Sequence, residues 1–255
     1  MRSKSSQGKS FISTHPDQDH IQGIEYLDEL KLIPNFYCVD NNVSKSTETE
    51  SFKKYKELKG SPCAYKIYKG CKRKWMNVSD GERGSAGISV LWPDVNNETF
   101  RDALRDAESS DKPNNISPAI VYSLEEGVRA LWLGDMENDY MVAIEDDIAL
   151  SPVDILFAPH HGRKSGRVPK TWLDKLEPRL IVVGEAPSDE LDYYSNYNTL
   201  TQNSAGDILF CCEAGKTHVY VGSPSYSVNF LGEDPNAPRV KGALRYLGSF
   251  DCGDR

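Results

Sequence analysis

The chain has 255 residues, 38% of them hydrophobic and 27% charged, with a formal net charge of −8. This is the composition of a folded globular chain, long enough for one large domain or two small ones, and it excludes intrinsic disorder. The acidic balance excludes wholesale coating of nucleic acid but not a local basic patch, and no apolar run reaches the roughly 20 residues that cross a bilayer.

Residues 1–10 are polar and cationic and lack the apolar centre of a secretory signal, so a cytoplasmic location is expected. The six cysteines, at 38, 63, 71, 211, 212 and 252, show no paired zinc-ribbon spacing and are expected as reduced thiols. Phe11-Ile12 reads as a short strand that runs into Ser13-Thr14-His15-Pro16-Asp17-Gln18-Asp19-His20. Two imidazoles and two carboxylates within six residues mix neutral nitrogen with hard oxygen, the donors that hold divalent ions. The alternative is a solvated loop in which one aspartate caps a helix.

Apolar residues at Ile21, Ile24, Leu27 and Leu30 predict a helix over 21–30 with His20 at its N-terminus, ended by Pro34. A strand at 36–39 follows. Thr47-Glu48-Thr49-Glu50 then forms a capping box ahead of a helix over 52–59 that Gly60 closes. From 53 to 75 the charge reverses, with nine lysines and arginines against Glu57 alone and Tyr55, Tyr65, Tyr68 and Trp75 interleaved. Such a stretch suits a phosphate backbone with unpaired bases, which makes Lys66, Lys69, Lys72, Arg73 and Lys74 candidate substrate contacts. A solvated helix followed by an edge hairpin fits it equally well.

Further strands are expected at 87–93, 119–124, 128–133, 153–158, 180–183, 207–212 and 218–221. Residues 125–127 turn a hairpin, and 96–115 form a polar, partly helical excursion. Helices are expected over 137–150 and 171–176. The tyrosine-rich loop at 193–197 packs on the body of the domain or contacts substrate, and Gly206 takes positive φ in the turn before the late strands. The Gly- and Pro-rich stretch 232–255 reads as a loosely held tail after a domain spanning 11–231. Strands alternating with helices, plus hairpins, give an α/β sandwich whose strand ends carry function.

Three strand ends carry ligand-type residues: 15–20, Asp135 after Leu133-Gly134, and His160-His161 after Ala158-Pro159. Four of the five histidines fall there, and the fifth, His218, lies in a late strand. In this order, Thr14-His15-Pro16-Asp17-Gln18-Asp19-His20, Leu133-Gly134-Asp135 and Ala158-Pro159-His160-His161-Gly162 resemble the metallo-β-lactamase-fold hydrolases. Within them the chain is similar to the metallohydrolase domain of bacterial competence DNA-uptake channel proteins. That branch has Asp where most relatives have a second His, as at Asp17, and an Asn-rich element like Asn114-Asn115-Ile116-Ser117.

The resemblance implies an αββα sandwich and two divalent ions, zinc or manganese. His15 and Asp17 would hold the first, and Asp19, His20 and His160 the second, with Asp135 bridging and His161 in proton transfer. Most relatives offer the first ion another His, where this chain has Asn114, Asn115 and Ser117. The family fold also begins with strands before its first motif, where only residues 1–10 stand here. The resemblance therefore implies a sandwich truncated at its N-terminus, its strands lost or supplied by a protein partner or a second subunit.

The expected function is metal-dependent hydrolysis of a phosphodiester in nucleic acid or a nucleotide, by water activated between the ions and oriented by Asp17 or Asp19, with His161 protonating the leaving oxygen. An ester, lactone or thioester substrate, or a non-catalytic accessory subunit of a larger complex, are the competing expectations.

Overall fold

Three sheets organise the chain, whose computed structural model describes residues 10–74, 76–242 and 244–254. The polar stretch 1–9 and the aromatic Trp75 lie outside the described residues. The architecture is mixed α/β, and the chain forms two compact units.

The first unit comprises the described residues up to 69 together with 92–118. Its sheet is parallel, with β1 (Ser10–Ile12), β2 (Asn35–Cys38) and β3 (Ala64–Lys66) side by side in that order. Phe36, Tyr37 and Cys38 are all buried, as in a parallel strand covered on both faces. Two short helices, α1 (Gln18–Ile21) and α2 (Ile24–Glu29), stand where the 3.6-residue spacing predicts one. Gly23 separates them at φ 83°, a left-handed conformation that a helix cannot continue through. His20 consequently sits in the last turn of α1.

Helix α3 (Glu50–Gly60) is capped by Thr49, whose hydroxyl accepts the Phe52 N–H at 3.1 Å. Phe52, Tyr55 and Leu58 recur every three residues and form its buried face, with the Tyr55 ring edge-on to Phe36. The polar excursion is largely the helix α4 (Glu98–Ser110). Asn97 caps it by accepting the Phe100 N–H at 3.1 Å, Phe100 packs against Trp92, and Asp111 ends it at φ 56°.

The second unit holds Gly70–Leu91 and the residues from Ala119 onward. Its six-stranded sheet runs β4 (Ile88–Trp92), β5 (Ala119–Ser123), β6 (Arg129–Trp132), β7 (Ile155–Phe157), β8 (Leu180–Val183) and β9 (Thr199–Thr201). β5 and β6 form the expected antiparallel hairpin, and β6 to β9 are parallel. The helix α5 (Asn138–Ala143) links β6 to β7 and is shorter than its sequence pattern predicts, while α6 (Lys170–Leu176) links β7 to β8.

A short α7 (Gln202–Ala205) leads, through Gly206 at φ 69°, to a second sheet of β10 (Ile208–Glu213), β11 (Lys216–Val221) and β12 (Arg245–Asp251). Side chains of the two sheets share a core, in which Ala130, Ile155 and Val182 meet Phe210, Cys212 and Phe250.

β12 corrects the expectation of a loose tail over 232–255, since residues 245–251 pair antiparallel with β11. Leu247 and Phe250 supply the reason: they pack on the core beside Leu180, Leu200 and Val219. One residue of the tyrosine-rich segment packs inward in the same way. Tyr194 is fully buried, and its hydroxyl accepts the Val168 N–H at 3.1 Å. All six cysteines are free thiols. Among the described residues, no helix is long and apolar enough to cross a membrane.

Candidate metal-binding clusters

The first cluster grows from the end of β1. Ser13 donates its N–H to Tyr37 O at 2.9 Å, which carries the strand pairing one step further before the chain turns through Thr14 and Pro16. His15 is 1% exposed. The Thr14 hydroxyl lies 3.1 Å from His15 Nδ1 and 3.2 Å from His20 Nδ1, and the Ser117 hydroxyl is 3.2 Å from His15 Nδ1. The two rings are 4.1 Å apart, centroid to centroid. Hydroxyls engage the Nδ1 atoms, so Nε2 is the nitrogen each ring offers for ligation.

Asp17 occupies the N-cap of α1 but makes no side-chain capping bond. Its carboxylate instead faces His15 Nε2 at 3.6 Å and Lys45 Nζ at 2.5 Å. Capping therefore does not account for this aspartate. Burial alone would raise its pKa, but the bonds to His15 and Lys45 outweigh that and lower it to about 2. Asp19 is exposed in the first turn of α1, with a carboxylate oxygen within 4.8 Å of a His20 ring nitrogen.

The second cluster follows from strand register. β6 and β7 are parallel with Trp132 opposite Phe157, so Asp135 and His160 each stand three residues past paired positions. Chain ends that leave a parallel sheet side by side bring such residues together. The His160 N–H donates to Gly134 O at 3.0 Å and ties the two loops. Asp135 is 4% exposed, and its Oδ2 lies 3.9 Å from His160 Nε2 and 3.8 Å from His161 Nε2. On the far side of the His160 ring, Nδ1 is 2.8 Å from the Ser165 hydroxyl. Burial, with Arg163 nearby, keeps the His160 pKa below its ordinary value against the pull of Asp135, so the ring is neutral at pH 7.

The backbone of this turn is strained. His160, His161 and Gly162 have φ of 51°, 58° and 91°, three successive residues in the left-handed region that L side chains disfavour. Gly162 is required twice over, because a Cβ there would also strike Val183 Cγ1. At Gly166 a Cβ would meet His160 Cβ and Pro159 O at 2.5 Å, so the loop can close onto His160 only with glycine there.

The donor sets suit a divalent ion. Bonds of about 2.1 Å at a tetrahedral angle separate two donors by about 3.4 Å. The imidazole-to-carboxylate distances of 3.6, 3.8 and 3.9 Å approach that value. Thus the first unit gathers His15, Asp17, Asp19 and His20, and the second gathers Asp135, His160 and His161. Asn114 lies in a single helical turn, 114–116, that delivers Ser117 to His15. His218 stands apart, buried in β11 with Nδ1 3.4 Å from the Tyr246 hydroxyl, as a hydrogen-bonded core histidine.

The basic stretch is largely neutralised by acids distant in sequence. Lys66 pairs with Asp40 at 3.0 Å, Lys69 with Asp94 at 3.5 Å, and Lys74 with Asp80 at 3.5 Å. Lys53, Lys54 and Lys56 pair with Glu50, with Asp28 and Glu57, and with Glu48. Lys66 and Lys69 belong to the first unit, whereas Lys72, Arg73 and Lys74 belong to the second.

Another set of charges lies beside His160, in an open cleft of about 830 Å³ whose lining includes Arg163, Lys164 and Arg167 together with Glu137, Asp139 and Glu190. Glu190 accepts the Lys164 N–H at 2.6 Å, and the Arg167 guanidinium lies 4.9 Å from the centre of the Tyr193 ring. The sequence signal for these residues was the run Arg163-Lys164-Ser165-Gly166-Arg167 directly after the His-His-Gly motif. Lys45 carried no such signal. In comparisons with known proteins, no family model matches the sequence, and no curated protein matches it significantly.

Proposed function

We propose that this chain is a metal-dependent hydrolase of phosphodiesters, in nucleic acid or a nucleotide, built on the αββα sandwich of the metallo-β-lactamase fold that its motifs resemble. The His160-His161-Gly162 turn carries the reading. Two imidazoles converge on the buried carboxylate of Asp135 through backbone that is costly to hold, and such strain persists where a site requires it. His15, Asp17, Asp19 and His20 of the first unit, and Asp135 and His160 of the second, are the residues that would hold divalent zinc or manganese. A divalent ion so held would acidify a bound water and neutralise charge building on phosphoryl oxygens.

The chain's own groups do the rest. Neutral His160 is in the form that ligates. Asp17, ionised far below neutral pH, or the neighbouring Asp19 orients the attacking water by accepting its hydrogen bond. His161 gives a proton to the leaving oxygen. Arg163 and Lys164, on the wall of the cleft beside His160, bind the non-bridging oxygens.

The test is hydrolysis of bis(p-nitrophenyl) phosphate and of a labelled single-stranded oligonucleotide, with manganese, with zinc and with EDTA. Metal-dependent cleavage that disappears in the Asp19→Ala/His20→Ala double variant is expected. Cleavage that survives in that variant or in EDTA removes the proposal. Turnover of p-nitrophenyl acetate or a lactone, with phosphodiesters inert, moves the substrate to the acyl class.

A further inference from the structure

Within the first unit, a positive charge beside His15 and Asp17 comes from the chain itself. Lys45, in the segment between β2 and α3, places Nζ 2.5 Å from Asp17 Oδ1 and 2.5 Å from Asp111 Oδ1. The lysine side chain is 16% exposed and that of Asp17 29%, so the pair is largely withdrawn from water. The other Asp17 oxygen, Oδ2, faces His15 Nε2 at 3.6 Å. One carboxylate is thus gripped on its two sides by an ammonium and an imidazole. Asp111, the left-handed residue that ends α4, balances the charge of the lysine.

The same carboxylate is the one that the resemblance assigns to the first ion. Ser117 meets the Nδ1 side of His15 and orients the ring. A dication bonded to Asp17 would share that carboxylate with the ammonium, and two cations so close and so poorly exposed repel strongly. Lysine, with a compact point charge and three donors, satisfies the site without any ion.

We infer that the Lys45 ammonium takes the place of a divalent ion at His15 and Asp17, so that the chain holds a single ion and none on Asp17. Lys45 is then a positioning residue that holds Asp17 aligned on His15. The inference rests on the metal-hydrolase reading and fixes its stoichiometry.

The experiment is the metal-to-protein ratio, measured by plasma mass spectrometry after equilibration with manganese or zinc and removal of unbound ion. One ion per chain is expected in the wild type and in Lys45→Arg, and two in Lys45→Gln. Two in the wild type, or one in a Lys45→Gln protein with native circular dichroism, overturns the inference and leaves the hydrolase reading standing. No ion in any of these proteins overturns that reading and the inference with it.

Anomalous diffraction from manganese-loaded wild-type crystals gives a second readout that does not depend on the Lys45→Gln fold. One peak, with Lys45 Nζ still on Asp17, is expected. A peak within bonding distance of both His15 Nε2 and Asp17 refutes the inference.

Discussion

Replacing His161 by glycine and, separately, by alanine tests the strained turn, because both changes remove the imidazole and only glycine removes the strain. At φ 58° and ψ 7° an L residue pays about 1–2 kcal/mol for the left-handed region, and glycine pays none. Against this, glycine loses about 0.5–1 kcal/mol more than alanine in backbone freedom on folding. His161→Gly should therefore be more stable than His161→Ala by about 0.5–1 kcal/mol in EDTA. For a chain of this size that is a Tm difference of about 1–4 °C.

Urea unfolding and calorimetry in EDTA measure the difference directly. An alanine variant as stable as the glycine variant would refute the claim that position 161 is strained. Repeating the scans with free ion at 100 times its Kd should stabilise the wild type by about 2.7 kcal/mol. A smaller gain in both variants is expected, since His161 faces Asp135.

Three further predictions follow from the same clusters. Gly162→Ala should cost about 2 kcal/mol or more, because its φ is 91° and the added methyl meets Val183; a Tm within 1 °C of wild type, by about the same scaling, would contradict this. Ser165→Ala should weaken metal binding about tenfold or more in a chelator-competition titration, because the hydroxyl 2.8 Å from His160 Nδ1 orients the ring; an unchanged affinity would deny it that role. Asp17 has a folded pKa of about 2, below its ordinary 3.8, so its contribution to stability is complete above about pH 4 and is lost as the pH falls through about 2. Asp17→Asn should show a shallower loss of stability over that window in urea titrations without metal, and equal slopes would count against the pairing with Lys45 and His15.

The sequence by itself determined most of what depends on near neighbours. Apolar runs placed β2, β5, β6 and β8, Thr49 marked the start of α3, and the turn chemistry of Gly206 matched its positive φ. The ligand-type residues were legible too, because they stand directly after apolar strands. These signals are local, since periodicity, capping and turn chemistry act over a few residues of chain.

Tertiary structure decided the rest. Gly23 broke a helix that the spacing alone would have continued, and Leu247 and Phe250 made a strand of a stretch whose glycines and prolines suggested a tail. The basic stretch lost its apparent surplus of charge once Asp28, Asp40, Asp80 and Asp94 reached its lysines. Lys45 acquired its partners in the same way, Asp17, 28 residues earlier, and Asp111, more distant still. An ion pair is chosen by which side chains the fold brings within about 4 Å, and no periodicity along the chain encodes that choice.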